Sequence, residues 1–345
     1  MNARAPLRVG IIGTGFGQHV LAPAVRADPR AYLVSIASSS RERALSVAGR
    51  LEIPEAYGGW QDLLAESAID AICIAVPPVL QPEIAESAAS LRKHVFCEKP
   101  LAVDVAAAER VLTAARSAGV AHAMDFEFRE VPVWQEVKRI LSKGTIGRVQ
   151  HVALCWRVET RAHRAKTGGW KLKAGDGGGA LNQFASHSLD YLEWLFGRIR
   201  RVRAHLGPEG ASADARVEAW IDVADGLPIT MSIATDAFLG CGHRLEIYGQ
   251  QGTVVLENRT SDYVSGFTLS VGTRLEGTLR QIMRSGLEDD DGRVGAVGRV
   301  FHQFVDAILE GRDAQPNLEN GVRVQHLLAL FHEAQRLGSW QNSIS

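Results

Sequence analysis

The run Leu7–Gly17, LRVGIIGTGFG, constrains the fold more than any other stretch of the chain. Leu7, Val9, Ile11 and Ile12 read as a buried parallel strand. Gly13, Gly15 and Gly17 let the backbone turn tightly, and a helix is expected from Gln18. Strand, glycine turn and helix N-terminus together offer unpaired N–H groups and a positive dipole end to a pyrophosphate. The match is G-x-G-x-G, short of the full G-x-G-x-x-G, so the context must decide. That context is a regular alternation. Strands are expected at 7–12, 31–38, 70–76, 94–97 and 120–124, with a short one near 54–57. Helices are expected between them, at 18–27, 42–51, 60–66, 82–92 and 104–118. Alternation of this kind predicts a parallel sheet covered by helices on both faces. Residues 1–124 are therefore expected to form a Rossmann dinucleotide-binding domain. Ala71–Val76 (AICIAV) is apolar without alternation and runs into Pro77-Pro78, which cannot continue a ladder. That places a loop at the carboxyl edge of the sheet, where ligands bind in this architecture.

The pattern changes after residue 124. A helix near 132–142, a strand near 148–158, a glycine-rich loop and a helix at 180–196 come first. Strand-like segments then crowd together at 200–206, 215–223, 227–235, 243–249, 252–257 and 266–271. Gly249-Gln250-Gln251-Gly252 and Asp225-Gly226 look like hairpin turns. Residues 125–345 thus read as a mostly antiparallel, open-sheet α+β domain with helices on one face. The stretch 272–297 lacks periodicity and is expected to be an exposed loop. Its Glu288-Asp289-Asp290-Asp291 run is a solvated feature rather than a metal site. Helices at 298–310 and 320–337 close the chain.

Composition narrows the function. The 38 basic and 39 acidic residues nearly cancel, so no field favours nucleic acid or membrane. No apolar run approaches a membrane span or a signal core, and a cytoplasmic enzyme is the expectation. Cys73, Cys97, Cys155 and Cys241 lack C-x-x-C spacing, which argues for reduced thiols and against a disulfide or thiolate metal site.

Two further segments carry chemistry. Glu98-Lys99-Pro100 follows the strand at 94–97, at the carboxyl edge. A desolvated lysine there has a lowered pKa and can polarise a substrate oxygen or exchange its proton. Spacing alone favours a plain surface lysine. The second segment is Gly177–Asp190, GGGALNQFASHSLD. On a helix, Gln183, His187, Asp190 and Trp194 share a stripe, so Gln183 and Asp190 could orient the His187 ring. An ordinary surface histidine is somewhat favoured by the pattern alone.

Taken together these segments resemble the glucose–fructose oxidoreductase/inositol dehydrogenase/MocA (Gfo/Idh/MocA) family over nearly the whole chain. Gly13–Gly17 matches its nucleotide turn, Pro77-Pro78 its loop after the fourth strand, and Glu98-Lys99-Pro100 its E-K-P. Phe126–Pro132 (FEFREVP) is similar to its F-N-x-R-F-x-P segment. Trp170 with Gly177–Asp190 is similar to its W…GGG-x-L-x-D-x-G-x-H-x-x-D pattern. The resemblance implies reversible hydride transfer between a nicotinamide and a carbinol carbon of a sugar, cyclitol or related polyol. It places Lys99 and His187 at the reacting carbon, His187 taking the hydroxyl proton and Lys99 polarising the oxygen. It also implies a homodimer or homotetramer assembled through the open sheet face. Val217, Ala219, Ile221, Val223 and Ile229, Met231, Ile233 give that sheet an apolar stripe per strand.

The cofactor positions that follow are Gly13, Thr14, Gly15, Phe16 and Gly17, then Ser38, Ser39 and Arg43, then Val76, Pro77 and Gln81, and finally Glu98 and Lys99. The substrate positions are Glu127, Arg129, Trp170, Gln183 and His187, with Trp156, Arg157 and Lys171 also polar or aromatic and expected in the cleft. Three departures stand out. Gln183 replaces the family's aspartate, which shifts acid/base work towards Lys99; Glu127 replaces an asparagine; Gln81 replaces a histidine often found after the double proline. The second strand ends in Ser38 rather than a carboxylate, with Arg41 and Arg43 close behind, which weighs NAD(P) choice towards NADP. A dinucleotide-binding regulator without turnover and a redox-assisted glycoside-cleaving enzyme with retained cofactor are the competing functions.

Overall fold

The computed structural model describes residues 5–66, 68–165, 169–286 and 291–343. The chain divides into two compact units. One comprises 1–127 and 293–325, the other 128–292 and 326–345. A single cut at residue 124 therefore misses a return crossing: part of the C-terminal segment is built into the first unit.

In the first unit the strands are β1 (Leu7–Ile12), β2 (Ala31–Ala37), β3 (Glu55–Tyr57), β4 (Ala71–Ile74), β5 (His94–Cys97) and β6 (His122–Met124). They pair in the order β3-β2-β1-β4-β5-β6, every pair parallel. That is the doubly wound dinucleotide-binding order, with its strand-order reversal beside β1. Helices Arg41–Leu51, Trp60–Ala65, Gln81–Ser90 and Val105–Ala118 fill the connections. Ser40 and Asp104 cap two of them, accepting from the N–H groups of Arg43 (3.3 Å) and Ala107 (2.8 Å). The helix Arg293–Glu310 supplies Val297, Val300, Phe301 and Phe304 to the core around Val9, Ile11, Val20 and Phe96. Phe96 meets Phe301 and Phe304 edge-on at 5.9 and 5.8 Å. This packing is why 293–325 joins the first unit: β5 and β6 need an apolar cover that 1–124 alone does not provide.

The glycine turn has a steric reason. Gly13 takes φ of 110°, and a Cβ there would stand 2.1 Å from the carbonyl oxygen of Ala75. Only glycine lets β1 pass so close to the end of β4. The following helix opens with a wide, π-type turn at Gly17–Leu21 before Ala22–Arg26.

The second unit is a nine-stranded sheet. Its strands are β7 (Val149–Arg157), β8 (Ile199–Gly207), β9 (Arg216–Val223), β10 (Pro228–Ala234), β11 (Gly242–Gly249), β12 (Gly252–Asn258), β13 (Thr268–Thr273), β14 (Arg280–Arg284) and β15 (Gln341–Asn342). The order is β14-β13-β12-β11-β7-β10-β9-β8-β15, antiparallel except for β7 with β10. Two expectations change here. The stretch 272–297 is not one loop: β14 lies within it and the helix begins at Arg293. Of its acidic run, residues 288–290 lie outside the described residues. The apolar stripes Val217, Ala219, Ile221, Val223 and Ile229, Met231, Ile233 are also buried within the single chain, so they are not the open face. Alternation finds one apolar stripe per strand but cannot say which side the chain's own helices cover. The other face carries Glu218, Trp220, Asp222, Thr230 and Ser232, and Trp220 is 54% exposed.

Gly13→Ala is expected to lower the thermal midpoint of the first unit and weaken dinucleotide binding, because strained positive-φ alanine and the clash with Ala75 cost about 1–3 kcal/mol or more. Gly15→Ala, whose Cβ would meet no atom within 4 Å, is expected to leave the midpoint in place. Calorimetry of the two variants checks this contrast.

Candidate functional site

The carboxyl ends of β5 and β6 hold the first unit's chemistry. β5 pairs Cys97 with Met124, so Glu98 and Lys99 emerge beside Asp125. The ladder continues past the strands, Glu98 donating its N–H to Ile74 O (3.0 Å) and Asp125 to Cys97 O (2.8 Å). Asp125 and Glu127 are buried, and Lys99 keeps part of its surface exposed while its amine is packed round by protein. Burial pushes the Lys99 amine below the ordinary lysine value, opposed by the attraction of Glu127, Glu98 and Asp125. Burial pushes Glu127 up to about 7, opposed mainly by Lys99. An amine that gives up its proton more readily beside a carboxyl raised towards it is suited to proton exchange. Spacing did not reveal Asp125; its position one step past the β6 register is what brings it in.

Gln81 is buried, and its amide donates to the carbonyls of Glu98, Pro100 (3.0 Å) and Leu101 (3.2 Å). The expected cofactor contact is thus, in the structure, a clamp that fixes the backbone around Lys99. At the turn, Thr14 Oγ1 lies 3.4 Å from Ser38 Oγ, tying the glycine loop to the end of β2. Phe16 lies under the Arg293 guanidinium at 5.1 Å. Ser39, Arg41 and Arg43 are exposed, and Val76 and Pro77 sit half-buried in the loop after β4. Gly15, where a Cβ would meet nothing within 4 Å, leaves open space at the turn near the half-buried Ser38, so the residues present fit a dinucleotide.

In the second unit the glycine run serves the Trp170 turn. A Cβ on Gly178 would stand 2.5 Å from Trp170 O, so the Trp170–Leu172 turn can lie directly against residue 178. Gln183 donates to Lys171 O (2.8 Å), and Lys171 lies over the Trp170 ring at 5.9 Å. The helix Ser186–Phe196 is preceded by a π-type turn at Leu181–Ala185, so Gln183 and His187 do not sit on one regular α-helical stripe. Asp214, which sequence reasoning missed, accepts from Leu181 N–H (2.7 Å) through its side chain and from Ala180 N–H (2.8 Å) through its carbonyl. It anchors the start of the helix that carries His187.

His187 is buried with its ring edge-on to Phe128 at 5.2 Å. Asp190 does not serve that ring. Both its oxygens accept from Arg129, through Nε at 2.8 Å and through Nη2, and both side chains are withdrawn from solvent. The Arg129 guanidinium is committed to this bidentate pair. Trp156 is likewise buried, stacked on His243 at 4.1 Å, while Arg157 is exposed on Ser232 and Glu218. Phe128, Trp134, Trp156, Tyr191, His243 and Phe267 form an aromatic block that His187 meets through Phe128 and Trp156, and Tyr191 Oη lies 2.9 Å from His243 Nε2.

The glycine cradle, the lysine at the carboxyl edge and the fold define a dinucleotide-dependent oxidoreductase. Residues 7–126 match the family model described as an oxidoreductase family with an NAD-binding Rossmann fold, and residues 134–255 match the GFO/IDH/MocA C-terminal domain. The chain belongs to the Gfo/Idh/MocA family. It is 34% identical to an uncharacterised oxidoreductase of Synechocystis sp. over 99% of this chain and 97% of the relative. It is 24% identical to the levoglucosan dehydrogenase of Pseudarthrobacter phenanthrenivorans, covering 97% of each. A solved levoglucosan dehydrogenase in complex with NADH and levoglucosan shares the fold at a TM-score of 0.88 and 23% identity, over 98% of this chain and 99% of the other.

The aromatic block has a pH signature. Burial pushes the His243 ring down from 6.5 to about 3, so the unfolded chain takes up the proton first as pH falls. Stability from this group is complete above the unfolded value and is lost as pH falls from there towards about 3. Between pH 7 and pH 5 the loss is about 2 kcal/mol at 1.36 kcal/mol per unit. His243→Phe is expected to remove that part of the acid destabilisation, read as unfolding free energy of the second unit at the two pH values.

Proposed function

We propose that this protein catalyses reversible oxidation of a secondary alcohol on a sugar, cyclitol or related polyol, with Lys99 and His187 as its acid/base groups. The observation that carries the proposal is the desolvated Lys99 amine, packed among carboxyls at the carboxyl edge of a dinucleotide-binding sheet. The dinucleotide, when bound, supplies or accepts the hydride. Lys99 polarises the substrate oxygen and exchanges its proton, and Glu127, poised near neutrality, takes that proton onward. Gln81 holds the loop that carries Lys99, and Arg129 with Asp190 holds the helix that carries His187. Trp170 and Lys171, on the turn that Gln183 fastens, supply the aromatic and cationic surface that suits a polyhydroxylated substrate. Gln183 is a positioning residue here: its amide holds Lys171 O.

We further infer a preference for NADP. β2 is followed by Ser38, Ser39 and Ser40 with no carboxylate for a 2′-hydroxyl, and the exposed Arg41 and Arg43 suit a 2′-phosphate. A homodimer or homotetramer would use the partly exposed sheet face with Trp220 and Tyr248, in a cytoplasmic setting that keeps the cysteines reduced. No described helix is long and apolar enough to cross a membrane. A regulator without turnover has no need of a desolvated lysine, and neither competing function is favoured by a feature of its own.

A screen of sugars and cyclitols in both redox directions, with NAD and NADP, following the reduced nicotinamide absorbance, tests the activity. With the best substrate, Lys99→Ala is expected to lower kcat at least about 100-fold with dinucleotide affinity little changed. Retention of more than about a third of the activity removes Lys99 from the chemistry.

A further inference from the structure

We propose that Glu98 and Asp125 share one proton, forming a carboxylic acid–carboxylate pair that pins the Glu98 side chain and sets the charge around Lys99. Register brings the two together. They are the residues that follow the paired Cys97 and Met124 on neighbouring parallel strands, and each continues its strand's ladder through its own N–H. Neighbouring parallel strands stand about 4.8 Å apart, so these equivalent positions bring the two carboxyls side by side, each raising the other's proton affinity or answering its charge.

The hydrogen-bond balance then needs a proton. Both Asp125 oxygens and Glu98 Oε1 are enclosed, and none receives an N–H or hydroxyl donor among the described residues. Glu98 Oε2 accepts the Lys99 N–H at 3.3 Å. Two ionised carboxylates in contact repel, and each would leave enclosed acceptors unsatisfied. A proton on either one supplies the missing donor as a charge-assisted O–H···O bond. Aspartic proteases use the same like-charge logic to hold one proton between two carboxyls.

The charge count agrees. Facing one another in this unit are the carboxyls of Glu98, Asp125 and Glu127, the cations Lys99 and Arg293, and the thiols Cys73 and Cys97. Burial raises both thiols, so they stay uncharged. With Glu127 ionised and Lys99 protonated, one shared proton leaves two negative charges against two positive ones. Burial also holds both Glu98 and Asp125 above the usual carboxylate range. With Glu98 bound to Asp125, Glu127 is left as the acid that answers Lys99 most strongly. Asp125 is thus a positioning residue, acting on Lys99 through Glu98.

Infrared spectroscopy of the full-length protein tests this without depending on Lys99's role or on any substrate. The wild type is expected to show the carbonyl stretch of a protonated carboxylic acid, and to keep it in Glu127→Gln, which removes the third buried carboxyl of the cluster. That band should shift on D2O exchange and with carboxyl-13C labelling of either aspartate or glutamate, and be lost in Asp125→Asn and in Glu98→Gln. Absence of the band in the wild type, or its survival in both variants, overturns the pair. Should the variants not fold, the band's response to both labels in the wild type decides alone. Asp125→Leu, which removes the donor to Glu98, is expected to displace the kcat/KM pH profile, and Asp125→Asn, whose amide keeps a neutral donor, to bring it back towards the wild type. A pH profile unmoved in Asp125→Leu overturns the positioning role even where the band is present.

Discussion

Desolvation at the carboxyl ends of β5 and β6 is the constraint on which the chemistry depends. Three carboxyls and a lysine amine are held there largely out of water, and burial is the largest influence on each. It lowers the amine and raises the acids, which draws their proton affinities towards one another. Groups that would differ by several pKa units in water are thereby closer in proton affinity, which eases proton exchange between them. The fold supplies that desolvation at an edge where a dinucleotide also fits, because parallel strands end together and the loops leaving them converge.

Much of the rest of the first unit serves that edge. Gly13 lets β1 and β4 end close together. Gln81 gathers the carbonyls of the loop around Lys99, which keeps a lysine-bearing turn in one conformation. The helix Arg293–Glu310 covers β5 and β6 through Phe301 and Phe304, and its first residue brings Arg293 among the acids. In the second unit, Asp214 at the start of the site helix and the Arg129–Asp190 pair along it hold His187 against Phe128.

The elements were legible in the sequence because their signals are local. The strands of the first unit and the helices between them follow from apolar runs and punctuation, and the structure has them within a few residues. Lys99 and His187 were singled out through motif order, since spacing alone favoured ordinary surface residues. What remained hidden depends on register and long-range pairing. Asp125 becomes a neighbour of Glu98 only once β5 and β6 are in register. Arg129 and Asp190 are 61 residues apart, and nothing local marks them as partners. Trp156 looked like a cleft residue because it is amphipathic, but its partner His243 comes from β11. Cys155 and Cys241, which share no C-x-x-C spacing, have sulfurs 3.3 Å apart because β7 and β11 are adjacent. The return of 293–325 to the first unit is likewise a packing outcome, as no composition change marks it.

The most direct measurement is the titration of the Lys99 amine itself. Protein carrying 15N at lysine Nζ, with the Lys99 resonance assigned by its loss in Lys99→Met, can be followed by NMR across alkaline pH. Burial among Glu98, Asp125 and Glu127 predicts a midpoint below the ordinary lysine value of 10.5. A midpoint at or above 10.5 would show that attraction to the carboxyls outweighs desolvation, and would contradict a lysine poised to exchange the substrate's proton.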